Sequence, residues 1–390
     1  MAAFARNRTS RYRFTPRKLC LLYVLVVHVI CIIGISFFVQ NDFDLAQQIK
    51  EVKPTTQHRA APNMDVLMTW GHGGFGVNLD SVKLRKQHRK NAAADFRHQL
   101  GLNEYLSNRI SLRRSLPDVR DPRCRSKDAP GMTPSIFQDV SVILLFHLEP
   151  RSVLLRAVFS ILDRTPGEFL TEVILVDQGS ESPELSKPQL ENYLSAISKK
   201  IKVIRSQTSL TYSEAIIAGT SNAFGTAVVF LNARCECTEG WLTPLLAWLQ
   251  ISPTSVAVPV VDTINNDTFK YVRTSNSKLS VATFSWDLSL KRKRIPQYRH
   301  PRVAYRPESS PIMADGIFAI NRELFIAVGA YTPSLNGTSI SNLEFSLRAW
   351  LCGSRIELIP CSRVGLISVP DDTLGKIIFE DNCFPYLNET

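Results

Sequence analysis

From Val140 onward, apolar runs of strand length alternate with helical patterns, and few folds can accommodate that. Val140–Phe146 is apolar almost without a break, Val153–Leu162 carries apolar residues at helical spacing, and Val173–Val176 is a second run ending at Asp177. Ile201–Ile204, a helical stretch over Ser213–Phe224 and Ala227–Leu231 continue the alternation. Strands this uniformly apolar need cover on both faces, so the pattern predicts an α/β domain with a mostly parallel twisted sheet and helices on both sides. Asp177 and Asn232 fall just past strand ends, where open sheets of this kind bind ligands. Residues 139–390 suffice for one sizeable domain.

Upstream of this domain the chain changes character. Leu19–Val39 is a run of 21 largely apolar residues, long enough to cross a bilayer as a helix. A cleaved signal peptide is the competing reading, but the run exceeds a usual signal core and no small-x-small cleavage site follows it. Arg6, Arg8, Arg11, Arg13, Arg17 and Lys18 precede it without an acid, and Asp42 and Asp44 follow. The positive-inside rule therefore predicts residues 1–18 as a cytoplasmic tail, 19–39 as a signal-anchor helix and the remainder as luminal. Those six cations account for much of the formal net charge of +11, so a nucleic-acid partner is not expected.

Residues 40–138, polar and sprinkled with Gly and Pro, read as a luminal stem with little to bury. Gly71–Gly76 has glycines at near-dinucleotide spacing but no strand before it, which favours a flexible linker. Of the eight cysteines, Cys20 and Cys31 lie in the apolar run. Cys124, Cys235, Cys237, Cys352, Cys361 and Cys383 form an even luminal set. Cys235 and Cys237 lack a second pair at zinc-like spacing. Sequons occur at Asn266, Asn336 and Asn388. Lys291–Arg294 is a basic patch that reads as a solvated loop or as a site for an acidic partner.

Several blocks then arrive in one order: Ser115–Arg120, Phe146–Glu149, Ile174–Ser180, Phe230–Leu242, Asp267–Phe269 and Asn342–Glu344 through Arg348–Gly353. Together they resemble the UDP-GalNAc:polypeptide N-acetylgalactosaminyltransferases over roughly residues 105–366. The resemblance implies a GT-A nucleotide-sugar transferase fold, Golgi residence, UDP-GalNAc as donor, Mn²⁺ as cofactor and Ser/Thr of polypeptides as acceptor. It also implies that Cys124 and Cys361 form a disulfide, that Cys352 pairs with a later cysteine such as Cys383, and that His147 and Asp177 lie near the uridine. Read locally, His147 is equally a packed histidine and Asp177 a loop or cap acid. Glu236, Glu239 and Trp241 follow the family pattern and are as readily structural as functional.

Where the family holds its metal, in an Asp-x-His and a later His, this chain has Asn232, Arg234 and Leu366. An amide is a poor ligand for a hard cation and a guanidinium repels it, so the expectation is that no cofactor is retained. Further departures fall in the same blocks. An Arg becomes Glu214, a Gly of the donor-sugar block becomes Asp315, and a Trp-Gly-Gly-Glu-Asn block becomes Thr338–Asn342, with Ser341 for the carboxylate and Asn342 kept. Glu214 and Asp315 are both expected to bring negative charge toward a negative donor. No lectin repeat is present in the sequence. The expectation is a Golgi type II membrane protein of this family with impaired or lost catalysis, binding UDP or UDP-GalNAc, a polypeptide or a sister transferase. The alternative is an active enzyme in which Arg234 supplies the missing positive charge.

Overall fold

The strand β1 (Val140–Phe146) is buried at every residue and sits between two parallel neighbours, β2 (Leu170–Asp177) and β4 (Ala227–Asn232). Beyond β2 lies β3 (Ile201–Arg205), also parallel and less buried, as an edge strand should be. In this computed structural model the described residues are 70–78, 101–125, 139–285, 290–296, 298, 305–313, 315–335 and 337–368. They fall within one compact unit, Pro62–Thr390. The apolar run Leu19–Val39, Cys383 and the sequons at Asn336 and Asn388 lie outside them, and no described helix is long and apolar enough to cross a membrane.

Helices occupy both faces of the sheet: α1 (Glu104–Ser107), α2 (Arg151–Arg164), α3 (Gln189–Ile197), α4 (Tyr212–Ser221), α5 (Thr243–Ile251), α6 (Arg322–Ala327) and α7 (Thr338–Leu351). Because side chains alternate along a strand, β1 sends Val142, Leu144 and Phe146 into one core with Leu154, Leu190 and Leu245. Ile143 and Leu145 enter a second core with Ile216, Phe325 and Phe345. α4 starts at a capping box, in which the Thr211 side chain accepts from the Glu214 N–H and the Glu214 carboxylate accepts from the Thr211 N–H.

The remaining strands make the sheet mixed. They are β5 (Cys235–Cys237), β6 (Ser255–Ile264), β7 (Tyr271–Val272), β8 (Ser280–Phe284), β9 (Leu290–Arg294), β10 (Glu308–Ser309), β11 (Phe318–Asn321) and β12 (Arg355–Ile367). The order is β10-β12-β6-β11-β4-β1-β2-β3, with β11 antiparallel to both β4 and β6, while β8 and β9 form a separate ribbon. β12 and β6 are parallel, but the register shifts between Ile359 and Arg363. Cys361 sits in that bulge and is bonded to Cys124, Cα atoms 5.4 Å apart, as the resemblance implied.

The expectation that the stem buries little fails for its described part. Leu102, Leu106 and Ile110 are buried with Val153, Phe269 and Ile367. Beneath them Arg114, fully buried, grips Glu236 with Nε and Nη2 at 2.8 and 2.9 Å and donates to the Phe269 carbonyl at 2.8 Å. Arg156 Nη2 donates to the Ser107 carbonyl at 2.7 Å. Two buried arginines around one buried carboxylate fasten this segment to the sheet, a contact that composition alone does not reveal. Nor is the glycine motif a loose linker. Gly74 has φ of +73°, and a Cβ there would stand 2.7 Å from Pro117 and 2.9 Å from Tyr271.

Candidate functional site

The parallel registers Phe146↔Asp177 and Leu145↔Asn232 bring the ends of β1, β2 and β4 to a common rim. On the β2 side, the Asp177 carboxylate accepts from the N–H groups of Gly179 and Ser180 at 3.1 and 2.7 Å and from Arg205 with its other oxygen. Arg205 also donates to Glu191 at 2.6 Å and to the Leu185 carbonyl at 2.6 Å. Asp177 therefore organises its own loop, as the local reading allowed. The Ser180 hydroxyl donates to the His147 carbonyl, and the His147 N–H donates to Glu149 at 2.8 Å. His147 Nδ1 is buried and has no protein partner among the described residues.

On the β4 side, side chains are turned toward one another. Asn232 is exposed, but its Oδ1 accepts from the Arg234 N–H at 2.8 Å. Arg234 Nε lies 3.6 Å from Glu149, each side chain 12% exposed. Leu366 faces Cys235 across the β5–β12 pair and packs on the main core, while the next N–H, of Ile367, donates to the Arg234 carbonyl at 3.1 Å. The three family metal positions are thus neighbours. Their chemistry, an engaged amide, an ion-paired guanidinium and an isobutyl group, does not fit a hard divalent cation. Among the described residues no group of three His, Cys, Asp or Glu converges to hold one.

Two adjoining hollows share Asp315. A small one of about 100 Å³ is lined by Leu145, Gln178, Tyr212, Asn232, Asp315 and Thr338. A larger cleft of about 420 Å³ runs between β6, β12 and the ribbon and includes Asp262, Val281, Arg292, Asp315 and Leu366. The Asp315 charge is compensated, because Arg292 Nη2 contacts both carboxylate oxygens at 2.5 and 2.6 Å. Expecting it to repel a donor took no account of that partner, 23 residues earlier in the chain.

Glu214 also departs from expectation. It belongs to the capping box rather than the rim, where its carboxyl is held below the usual range by hydrogen bonds from Thr211. The α4 residue that lines the small hollow is Tyr212. A Cβ on Gly316, at φ of +64°, would come within 2.3 Å of the Tyr212 hydroxyl. Asn342 is buried, accepting from Tyr331 at 2.7 Å and Tyr212 at 3.4 Å, and Ser341 meets Ser213 at 2.9 Å. Burial pushes both tyrosine hydroxyls up, so they remain protonated donors. Ser341 and Asn342 form a polar seam between α4 and α7 and do not line the hollow.

Other assignments resolve individually. Cys235 and Cys237 are buried free thiols; burial raises the first to about 12 and the second further, which opposes the thiolate a metal would need. Cys352 is exposed after α7. Asn266 donates its amide nitrogen to the Gly101 carbonyl at 2.7 Å, so the side chain that glycosylation would use is engaged. Glu149, Arg205 and Tyr212 were not singled out from the sequence, and Arg292 was marked only as part of the basic patch Lys291–Arg294. Arg205 carried a usable signal, since it ends a strand beside Asp177.

Residues 141–329, which hold the ends of β1, β2 and β4, match Glycosyl transferase family 2. Polypeptide N-acetylgalactosaminyltransferase 11 of Xenopus tropicalis is 39% identical over 268 residues, 68% of this chain and 43% of its own length. Polypeptide N-acetylgalactosaminyltransferase 13 of Homo sapiens is 38% identical over 266 residues, 67% of this chain and 47% of its own. A crystal structure of GalNAc-T7 with UDP, GalNAc and Mn²⁺ superposes with a TM-score of 0.68 at 29% identity, covering 77% of this chain and 55% of that one. The chain belongs to the polypeptide N-acetylgalactosaminyltransferase family and has its GT-A fold. It spans about half the length of the curated relatives it matches.

Proposed function

We propose that this chain is a Golgi-resident, single-pass type II membrane protein whose luminal domain retains the nucleotide end of a GalNAc-transferase site but has impaired or lost transfer from UDP-GalNAc to Ser/Thr of polypeptides. One observation carries the reading: the three positions that resemble the family's metal ligands hold Asn232, Arg234 and Leu366, and each side chain is committed to a neighbour. Sugar transfer from a nucleoside diphosphate needs positive charge at the leaving diphosphate, and losing one such preorganised group typically costs ~10²–10³ in rate. The nucleotide end is less altered. Next to Asp177, His147 keeps a buried ring nitrogen for which a nucleobase edge offers a partner. The apolar run Leu19–Val39 with its preceding cations supports the topology.

Calorimetry of UDP with and without MnCl₂, run beside a GalNAc-transfer assay on a Ser/Thr peptide, tests this. The expected outcome is UDP binding that manganese does not tighten, together with transfer at the level of a heat-killed control. Metal-dependent tightening overturns the reading. Turnover without metal establishes instead that Arg234, a guanidinium at the strand end, takes the cation's place.

A further inference from the structure

Of the basic ribbon strand, only Arg292 enters the site, through Asp315. Among the described residues β9 pairs with β8 alone, through the registers Val281↔Lys293 and Ala282↔Arg292, and no described strand occupies its other edge. The Ile295 N–H donates to the Leu279 carbonyl at 3.0 Å, which fixes the alternation. Lys291 and Lys293 turn their backbone groups toward β8, while Arg292 and Arg294 turn theirs outward. Lys291, Arg292, Lys293 and Arg294 are all exposed. Arg292 is taken by Asp315, but no described acid pairs with Lys291, Lys293 or Arg294.

We propose that the outer edge of β9 is a docking strand for an extended acidic polypeptide. Such a segment adds to the ribbon by backbone pairing with Arg292 and Arg294, and sets alternate carboxylates against Lys291 and Lys293. Charge complementarity selects this occupant. A second copy of the strand would bring cation against cation. A nucleic acid would meet the cations through phosphates, which only accept, so its backbone could not pair with the outward carbonyls of Arg292 and Arg294 as the N–H groups of a peptide do. The edge adjoins the larger cleft, since Arg292 lines it and holds Asp315. The proposal does not require that the site bind nucleotide, so its failure is separable from failure of the reading above.

The test is fluorescence anisotropy on the full-length chain in detergent, with labelled peptides alternating Glu and Val, Gln and Val, or Lys and Val, and a labelled oligodeoxynucleotide. The Glu peptide should bind about ten-fold tighter than the Gln peptide and weaken with salt. Lys291→Glu with Lys293→Glu should reverse the preference toward the Lys peptide, a gain of binding that a misfolded variant does not give. Arg294→Pro, which removes an outward N–H, should weaken binding several-fold beyond Arg294→Ala. Equal binding of the Glu and Gln peptides, tighter binding of the oligonucleotide, or an acidic preference that survives charge reversal would each overturn the proposal.

Discussion

The two halves of the rim have diverged differently. At the ends of β1, β2 and β3, Asp177 and Arg205 form a rigid polar frame, and His147 keeps a ring nitrogen to offer. At the ends of β4, β5 and β12, Asn232 accepts from its own loop, Arg234 turns to Glu149 and Leu366 joins the core. Both halves spend most of their polar groups internally, but the first leaves a buried His147 ring nitrogen without a partner among the described residues, and the second leaves the Asn232 side chain exposed. The sheet beneath is common to both halves.

The contrast breaks most forcefully from below. Glu236→Ala leaves Arg114 and Arg156 buried without their carboxylate, and the expected loss is about 3–5 kcal/mol of stability, read as a fall in denaturation midpoint. The same group gives a pH signature. Burial raises the Glu236 pKa, but Arg114 and Arg156 outweigh it and hold the carboxyl below its ordinary value of 4.5. A depressed folded pKa means the stabilisation is complete above the unfolded value and is lost as pH falls through the folded one. Thermal melts should therefore drop below about pH 4.5 in the native chain, and less steeply in Glu236→Gln.

A smaller effect is expected at the rim itself. Asp177→Asn weakens the hold on Arg205 and should reduce UDP affinity by about ten-fold, whereas Leu366→Ala should leave it unchanged. Equal losses would erase the distinction between the halves. Restoring Asn232→Asp, Arg234→His and Leu366→His together should make UDP binding tighten with manganese by about ten-fold in calorimetry. If it does not, the surrounding packing, with Glu149 and Tyr212, also blocks the metal half. Thr211→Ala, which removes the α4 cap next to Tyr212, should cost about 1 kcal/mol in chemical denaturation.

Much of this was legible in the chain. The run Val140–Phe146 forms β1 residue for residue, and the helix expected at Val153–Leu162 is α2 with a turn's extension. The helix expected at Ser213–Phe224 starts a residue earlier and stops at Ser221, where Asn222 ends it. Asp177 and Asn232 stand at strand ends as the apolar pattern required. The burial of residues 101–125 was not legible, because that segment has scattered rather than periodic apolar residues and its anchor, Glu236, lies 122 residues from Arg114.

Local pattern alone thus determined the first four strands, the helices α2 and α4, the rim positions and the identities of the residues now standing there, since backbone period and side-chain chemistry are properties of neighbours in sequence. Tertiary structure alone decided what those residues do: that Arg292 neutralises Asp315, that Glu149 holds Arg234, that Glu214 caps a helix while Tyr212 faces the hollow. A charge or hydrogen-bonding group acquires its role from whatever lies within a few ångströms, and at this rim those partners come from separate loops brought together by the parallel register of the sheet.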